Sequence, residues 1–238
     1  PREEVAANEA AVETVVTAAV GKGVFKRYRY IVTDGVQGVT VLTTLRNEGK
    51  VPVSIKMQDK WTGLGRANYS KGFLWGAAVD PADKAGYALT WVKSHGVDRT
   101  PKGTETLEPG QELTVSRFLA VGKSPLDAVG VAGLRRGGAI RAGFSLHDEN
   151  GKPADSAALQ VEVEPGKTLV DYPDDSGNVA LALPAGTYAW RVEDQGRETV
   201  TGTMKLEEGV DVARETVKLW SRSVVTFSIK DGAGKSIP

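Results

Sequence analysis

The chain has 238 residues, 40% of them hydrophobic, which is enough for one large domain or two smaller domains with real cores. Its 30 basic and 30 acidic side chains cancel, and no run approaches the roughly 18 apolar residues of a membrane helix, so neither nucleic acid nor a membrane span is expected. Cysteine is absent, which excludes disulfides, thiol nucleophiles and thiolate metal sites.

The first segment, residues 3–20, is compatible with two secondary structures. Ala7, Ala11, Val15 and Ala19 recur at a helical spacing, which favours a short N-terminal helix. The β-branched residues between positions 12 and 17 favour a strand that leads into the following sheet. The helix is the preferred prediction, and the strand stays open as the alternative.

From residue 23 onwards, short runs of β-branched and aromatic residues are separated by Gly, Pro, Asp and Asn, which is the pattern of strands and turns. The Asn-Glu-Gly-Lys turn at residues 47–50 predicts a hairpin that pairs residues 39–46 antiparallel with residues 51–58. Residues 62–72 are glycine-rich and are predicted to form a loop. The predicted strands of this part are residues 24–33, 39–46, 51–58, 73–79, 86–93 and 112–121.

One helix is predicted in the middle of the chain. Ser124 is a suitable N-cap with Pro125 at the first helical position, and the helix is expected to end near Leu134. The basic pair Arg135-Arg136 is explained better by the helix dipole than as an anion site. A glycine pair then provides a C-cap and a flexible joint. We therefore predict a division into residues 1–138, 139–220 and 221–238.

Beyond the joint, the predicted strands are short and regularly spaced. Leu159, Val161 and Val163 alternate with polar residues, so one face is buried and the other is solvated, as in an antiparallel sandwich. The predicted strands are residues 140–146, 159–164, 179–183, 187–193, 199–206 and 212–219.

An internal repeat extends this organisation. The sequence of residues 144–153 is echoed by residues 227–236, which predicts that a further β module begins near Val224. A single strand and turn cannot bury a hydrophobic face alone. The natural polypeptide is therefore expected to continue past Pro238.

Three motifs of the second segment occur together. They are the strand and turn of residues 146–153, the acidic turn of residues 174–179, and Leu-Pro-Ala-Gly-Thr-Tyr at residues 183–188. They resemble the carboxypeptidase regulatory-like family. The resemblance implies a small transthyretin-type β-sandwich over residues 139–219, and it implies almost nothing about function.

The first segment carries a second resemblance. Residues 28–47, with the Asp34-Gly35 turn, and residues 107–125, with Arg-Phe-Leu-Ala-Val-Gly-Lys-Ser-Pro, are the matching stretches. They resemble the β-rich region that precedes the catalytic domain in CehA/McbA-type metallohydrolases, which are exported bacterial enzymes with a polymerase-and-histidinol-phosphatase (PHP) metal domain. The resemblance implies a galactose-mutarotase-like supersandwich for residues 1–138.

The expected fold class is therefore all-β, a supersandwich module followed by a small antiparallel β-sandwich. The resemblances imply a non-catalytic accessory region that binds no cofactor. Its expected partner is a downstream catalytic domain of the same polypeptide, and its expected location is the periplasm or the cell exterior.

Histidines are too few for a PHP-type metal site, which needs several imidazoles and carboxylates in one first shell. The chain has only His95 and His147. An epimerase would need an acid and base pair, for which His95 with Asp59, Asp80 or Asp98 is the only imaginable set. Both histidines are interpreted as turn or strand-edge residues, and the chain is predicted not to be an enzyme.

Aromatic residues provide the alternative function. Trp61, Tyr69, Phe73 and Trp75 are concentrated around the glycine-rich loop, and rings of this kind stack on sugar faces in carbohydrate-binding modules. The alternative is therefore a carbohydrate-binding or surface-adhesion module. Against it, Trp75 and Trp91 can be core residues of neighbouring strands, since large aromatics are usually buried. Trp61 and Tyr69 are the rings expected to be exposed.

The acidic turn of residues 171–178 has enough carboxylates to suggest calcium, a hard ion that takes several oxygen ligands. It lacks the spacing of an EF-hand loop and the distal bidentate glutamate. A solvated turn is the preferred interpretation, and no metal site is predicted.

Overall fold

The computed structural model is mostly β, and the prediction of an all-β chain is confirmed. The assignments of the two parts to a supersandwich and to a regulatory-like family stay predictions. The structure describes residues 2–6, 9–16, 23–57, 68–77, 84–209 and 213–222.

In these described ranges, the largest sheet is antiparallel and contains eight strands. These are β1 (Arg2–Ala6), β2 (Glu9–Val16), β3 (Val24–Thr33), β4 (Gly38–Asn47), β6 (Asn68–Ser70), β7 (Phe73–Ala77), β8 (Gly86–Trp91) and β10 (Glu112–Gly122). Their order across the sheet is β1-β2-β3-β4-β10-β8-β7-β6. Two further strands, β5 (Val53–Lys56) and β9 (Thr104–Leu107), form a separate antiparallel pair.

The prediction of an N-terminal helix is wrong, because residues 2–6 and 9–16 are strands. Strand β2 pairs with β3 over its whole length, from Glu9 opposite Thr33 to Val16 opposite Lys26. β-branched residues lose side-chain freedom in a helix and fit a pleated sheet well. The edge of β3 also supplies backbone partners throughout, so the strand alternative is the correct one.

The predicted hairpin between residues 39–46 and 51–58 is also wrong. Strand β4 is paired on both edges, with β3 and with β10, so no ladder position remains for β5. Asn47 is fully buried, and its Nδ2 donates to the carbonyl oxygens of Val51 at 2.8 Å and Leu107 at 2.9 Å. These bonds turn the chain out of the sheet, and β5 pairs with the unpredicted strand β9 instead.

The helix α1 (Pro125–Arg136) follows the sequence signals closely. The Oγ of Ser124 accepts a hydrogen bond from the backbone N–H of Asp127 at 3.0 Å, which confirms the predicted N-cap. Gly137, at φ 89°, ends the helix, and Arg135 and Arg136 lie in the last turn. The helix is two residues longer than predicted.

The sandwich, described over residues 139–209 and 213–219, contains two facing sheets. Its strands are β11 (Ala139–Asp148), β12 (Ala158–Glu164), β13 (Lys167–Asp171), β14 (Asn178–Pro184), β15 (Gly186–Glu193), β16 (Val200–Leu206) and β17 (Ala213–Leu219). One sheet has the order β14-β11-β17 and the other β13-β12-β15-β16. Strand β13 was not predicted.

The expectation of a purely antiparallel sandwich is wrong in one place, because β17 runs parallel to β11. Strand β16 belongs to the opposite sheet, so the chain crosses the sandwich before β17. It then enters the edge beside β11 in the same direction, and a turn of two residues could not have produced this pairing.

Among the described residues, one hydrophobic core joins the eight-stranded sheet, α1 and the sandwich. In the sandwich, the rings of Phe144 and Trp190 meet edge to face with centroids 5.3 Å apart. Two smaller clusters lie on the eight-stranded sheet, one around Leu107 and one around Ile31. The predicted division of the chain into three segments stays a prediction, and the repeat at residues 227–236 lies outside the described residues.

Candidate functional site

The predicted aromatic loop does not form a cluster of exposed rings among its described residues. Tyr69 is 64% exposed, as predicted, whereas Phe73 is 2% and Trp75 is 7% exposed. The expectation that Phe73 and Trp75 contact a glycan is therefore corrected, since neither ring has a face open to a ligand. Trp61 lies outside the described residues.

The burial of these rings follows from strand alternation. Phe73 and Trp75 are two residues apart on β7, so both face the core that lies under α1. The indole Nε1 of Trp75 donates to Ser70 Oγ at 2.8 Å, which satisfies its polar group in the interior. Trp91 is half-buried, and the guanidinium of Arg117 lies over its ring.

The turn between β6 and β7 contacts the sandwich. The backbone N–H of Lys71 donates to Glu164 Oε1 at 2.8 Å, and Lys167 Nζ donates to the carbonyl oxygen of Tyr69. Arg136 Nη1 donates to the carbonyl oxygen of Lys71 at 3.1 Å. Several polar groups of this turn therefore already form hydrogen bonds within the molecule.

A groove of about 720 Å³ lies between α1 and the outer face of the sheet β14-β11-β17. Helix α1 forms one side, because it packs on β14 and β11. The outer edge strand β17 contributes the opposite side. The residues that determine the chemistry of the groove are Lys123, Asp127, Val131, Leu134, Arg141, Gly143, Ser145, Asp174, Asn178, Ala180, Ala182, Arg214, Glu215 and Thr216.

The floor of the groove is made by residues with little or no side chain. Gly143 of β11 pairs with Ala180 of β14, next to Ala182, and all three line the groove. Phe144 faces the core, so its neighbours on β11 face outward. Gly130 lets α1 approach β14 closely, since a Cβ there would lie 3.1 Å from the backbone nitrogen of Ala182.

Two arginines line the groove from β11 and β17. Arg214 pairs in register with Gly143, two residues along β11 from Arg141, so the two arginines are diagonal neighbours on one sheet face. Both side chains are exposed. Within the described part of the chain, neither guanidinium makes an ion pair or a hydrogen bond.

Two of the three acidic side chains that line the groove, Asp127 and Asp174, lie near the start of α1 and are already hydrogen-bonded, whereas the third, Glu215, follows Arg214 on β17. Asp127 Oδ2 accepts from the backbone N–H of Lys123 at 3.0 Å. Asp174 Oδ1 accepts from the backbone N–H groups of Asn178 at 2.8 Å and Ser176 at 2.9 Å. The bond from Asn178 is the main reason why the pKa of Asp174 is lowered. The interpretation of residues 171–178 as a solvated turn therefore applies to Asp174.

The interpretation as a solvated turn does not apply to Asp171, whose side chain is fully buried at the start of α1. Its Oδ1 accepts from the backbone N–H of Tyr172 at 2.7 Å and lies 3.6 Å from Lys123 Nζ. Burial raises the pKa of this carboxyl group. Asp171 and Asp174 therefore serve different local contacts, and no group of three potential metal ligands occurs in the described part of the chain.

The histidines take ordinary structural positions. His95 lies in the turn after β8 with φ 54°, which confirms its interpretation as a turn residue. His147 is on β11, with Nε2 2.8 Å from Ser145 Oγ. Asp59 and Asp80, the carboxylates considered as partners of His95, lie outside the described residues.

The groove was not predicted from the sequence. Alternation on β11 places Arg141, Gly143 and Ser145 on the solvated face, and this much could have been inferred. The contribution of Arg214 depends on the parallel pairing of β17, for which the sequence has no local signal.

No protein-family model matches the chain, and no curated protein matches it. Among solved structures, the chain is similar to the Bacillus anthracis TIE protein at 10% identity and a TM-score of 0.32, covering 91% of this chain and 35% of that one. The chain is also similar to a polysaccharide lyase, at 10% identity and a TM-score of 0.36, and the match covers 83% of this chain and 35% of the lyase. It is similar as well to the GH36 alpha-galactosidase AgaB from Geobacillus stearothermophilus, at 14% identity and a TM-score of 0.34. This match covers 62% of this chain and 30% of the galactosidase.

The chain spans about a third of the length of each of these structures. At such TM-scores the likeness carries no argument about fold or function. In the part of the chain that the structure describes, no helix has the length and apolar character needed to span a membrane.

Proposed function

We propose that the chain is a non-catalytic accessory region that holds two β units in a fixed orientation ahead of a downstream catalytic domain. The observation that carries the proposal is the position of α1, which is buried against the eight-stranded sheet on one side and the sandwich on the other. A region that positions a neighbouring domain has to be stiff, and a shared core provides stiffness.

The apolar contacts of α1 support this role. Leu126, Ala128 and Ala132 are fully buried, and Val129 is nearly so. The start of the helix lies against Gly86, where any side chain would collide with the backbone around Pro125. Close approach of this kind leaves little room for the two β units to move relative to each other.

Polar contacts add to the same interface. Lys123 Nζ donates to the carbonyl oxygen of Tyr172 at 2.8 Å, and Lys84 Nζ lies 3.8 Å from the centroid of the Tyr172 ring. Lys84 precedes β8 of the eight-stranded sheet, whereas Tyr172 follows β13 of the sandwich. Bonds of this type stabilise one relative orientation, although each exposed one contributes modestly.

The downstream partner is inferred from the sequence resemblance to the leading region of CehA/McbA-type metallohydrolases. On that basis the catalytic domain is of the PHP type, and the complete protein is exported. Determining the encoded polypeptide beyond Pro238 tests this part. We expect a histidine-rich domain, and a series of β modules ending in a surface anchor would overturn it.

The rigidity is tested by hydrogen exchange across a denaturant series. In the unmodified protein, amides of β10 in the eight-stranded sheet and of β11 in the sandwich are expected to lose protection together, because one continuous core that includes α1 joins the two parts. The exposed substitution Leu134→Ala serves as the control and is expected to leave both unchanged. Separate opening of the two sheets in the unmodified protein would contradict a rigid accessory region.

The absence of catalysis is tested with the purified chain in the presence of Mn²⁺, Zn²⁺ or Fe²⁺ and simple phosphate and carboxylate esters. No turnover above that of the free metal ions is expected. Saturable turnover that is lost on His95→Ala or His147→Ala would overturn the proposal. The alternative of glycan binding by the aromatic loop keeps only Tyr69 as an exposed ring among its described residues, so no observation favours that loop as a glycan site.

A further inference from the structure

The groove beside α1 has the dimensions of a ligand site, and the proposed accessory role does not involve it. Its volume of about 720 Å³ falls within the roughly 300–1,000 Å³ of small-molecule sites. Its centre is kept open by Gly143 and Ala180, where larger side chains would fill it. The floor of an ordinary solvated sheet face would instead be covered by long polar side chains.

The two arginines define the chemistry of one part of the groove. Like charges that lie close together on neighbouring strands repel each other, and an anion bound between them offsets this repulsion. Arg141 and Arg214 are diagonal neighbours, and within the described residues neither has a carboxylate partner. A guanidinium binds carboxylate or sulfate through two parallel hydrogen bonds, so this pair fits an oxyanion.

The remainder of the groove fits hydroxyl groups. Ser145 and Thr216 are paired in register on β11 and β17, and Asn178 lies opposite Ser145 on β14. All three line the groove and are polar without being charged. Val131 and Leu134 of α1 provide an apolar strip on the other side, which suits the carbon face of a sugar ring.

The geometry points to a binding site for an acidic saccharide, with a uronic acid carboxylate or a sulfate between Arg141 and Arg214 and sugar hydroxyls on the row of Ser145, Asn178 and Thr216. The inference goes beyond the accessory role and does not depend on it. Asp127 lies in the first turn of α1, and Glu215 follows Arg214 on β17 but alternates to the other face of the sheet, opposite Phe144, so the ligand binds with its charged group towards the arginines.

Isothermal titration calorimetry with three probes tests the site. The probes are a trisaccharide of galacturonic acid, the corresponding neutral galactose trisaccharide, and inorganic sulfate. We expect the acidic trisaccharide to bind most tightly, and the loss of one charge-assisted contact in Arg141→Ala or Arg214→Ala to weaken it on the order of tenfold. Arg46→Ala, an exposed arginine of β4 outside the groove, is the matched control.

A blocking variant tests the location independently of charge. A Cβ at position 143 would lie 3.6 Å from the carbonyl oxygen of Val179, an ordinary contact, so Gly143→Val is expected to fold and to fill the floor. Binding is expected to be lost while the thermal midpoint is unchanged.

Four results would overturn the assignment. They are no binding of any probe, equal binding of the neutral trisaccharide, equal binding of sulfate alone, and unchanged binding in both arginine variants. Each leaves the accessory proposal intact, because that proposal depends on exchange in β10 and β11 and on the sequence beyond Pro238.

Discussion

The sandwich and the eight-stranded sheet bury their apolar residues in different ways. On β15 of the sandwich, Tyr188, Trp190 and Val192 are buried and alternate with exposed residues. On β3 of the larger sheet, Tyr30 and Val32 are exposed at 38% and 52%. The sandwich therefore encloses its core between two sheets, whereas the larger sheet relies on α1 and on small clusters.

This difference predicts where each part is vulnerable. A cavity in the sandwich affects a core that two sheets share, and α1 is attached to that core. A defect in α1 removes the cover of β7, β8 and β10 but leaves the facing sheets of the sandwich in place. Five substitutions test this asymmetry and the carboxyl groups of Asp171 and Asp174, beginning with the largest expected effect.

Phe144→Ala is expected to lower the free energy of unfolding by about 3–5 kcal/mol, since Phe144 is fully buried and contacts the Trp190 ring. Urea denaturation followed by tryptophan fluorescence measures the change. Tyr69→Ala, at an exposed ring, is the control and is expected to change stability by about 0.5 kcal/mol or less. Equal effects of the two substitutions would contradict the described core.

Leu126→Ala is expected to cost about 2–5 kcal/mol, because the side chain is fully buried in the first turn of α1. Hydrogen exchange is expected to show faster opening of β8 and β10 than of β12 and β15. A uniform loss of protection over both parts would show that the sandwich depends on α1 as much as the larger sheet does.

Ser124→Ala is expected to destabilise the protein by about 1 kcal/mol, since it removes the acceptor for the Asp127 N–H at the start of the helix. Ser124→Thr keeps the hydroxyl and is expected to recover most of the loss. Thermal unfolding by circular dichroism compares the two variants. If threonine were no better than alanine, the cap would not explain the effect.

Asp171 and Asp174 are expected to respond oppositely to pH. The pKa of Asp171 is raised by burial, so the folded protein binds more protons than the unfolded chain, and stability falls as pH rises from about 4 through the folded pKa. Asp171→Asn removes this dependence of stability on pH. As pH rises from about 4 through the folded pKa, the thermal midpoint of the variant is therefore expected to rise relative to that of the unmodified protein.

The pKa of Asp174 is lowered by its hydrogen bond from Asn178, so its stabilising contribution is present above the unfolded pKa and is lost as pH falls through the folded value. Asp174→Asn is therefore expected to be less stable at neutral pH and equal to the unmodified protein in acid. Parallel pH curves for the two variants would refute the assignment of either carboxyl group.

The aromatic loop shows how far a local pattern can be taken. Its rings are concentrated in sequence, but Phe73 and Trp75 share the inner face of β7, and only the position of α1 makes that face a core. Tyr69 precedes the turn and stays exposed. Composition indicated which residue types lie near the loop, and packing determined which of them can meet a ligand.

By itself, the sequence determined the features that depend on neighbouring residues. Strand β3 coincides with the predicted residues 24–33, and the helix begins at the proline that follows its cap. Such features follow from backbone sterics, side-chain periodicity and capping bonds, all of which act over a few residues.

The tertiary structure alone decided the partners. It paired β4 with β10 instead of β5, and it laid β17 parallel to β11, which brings Arg214 beside Gly143 in the groove. These choices depend on which edges and apolar faces remain free once the rest of the chain has packed. Contacts between residues distant in sequence carry no local signature, so neither the groove nor the buried Asp171 could be read from the residues around them.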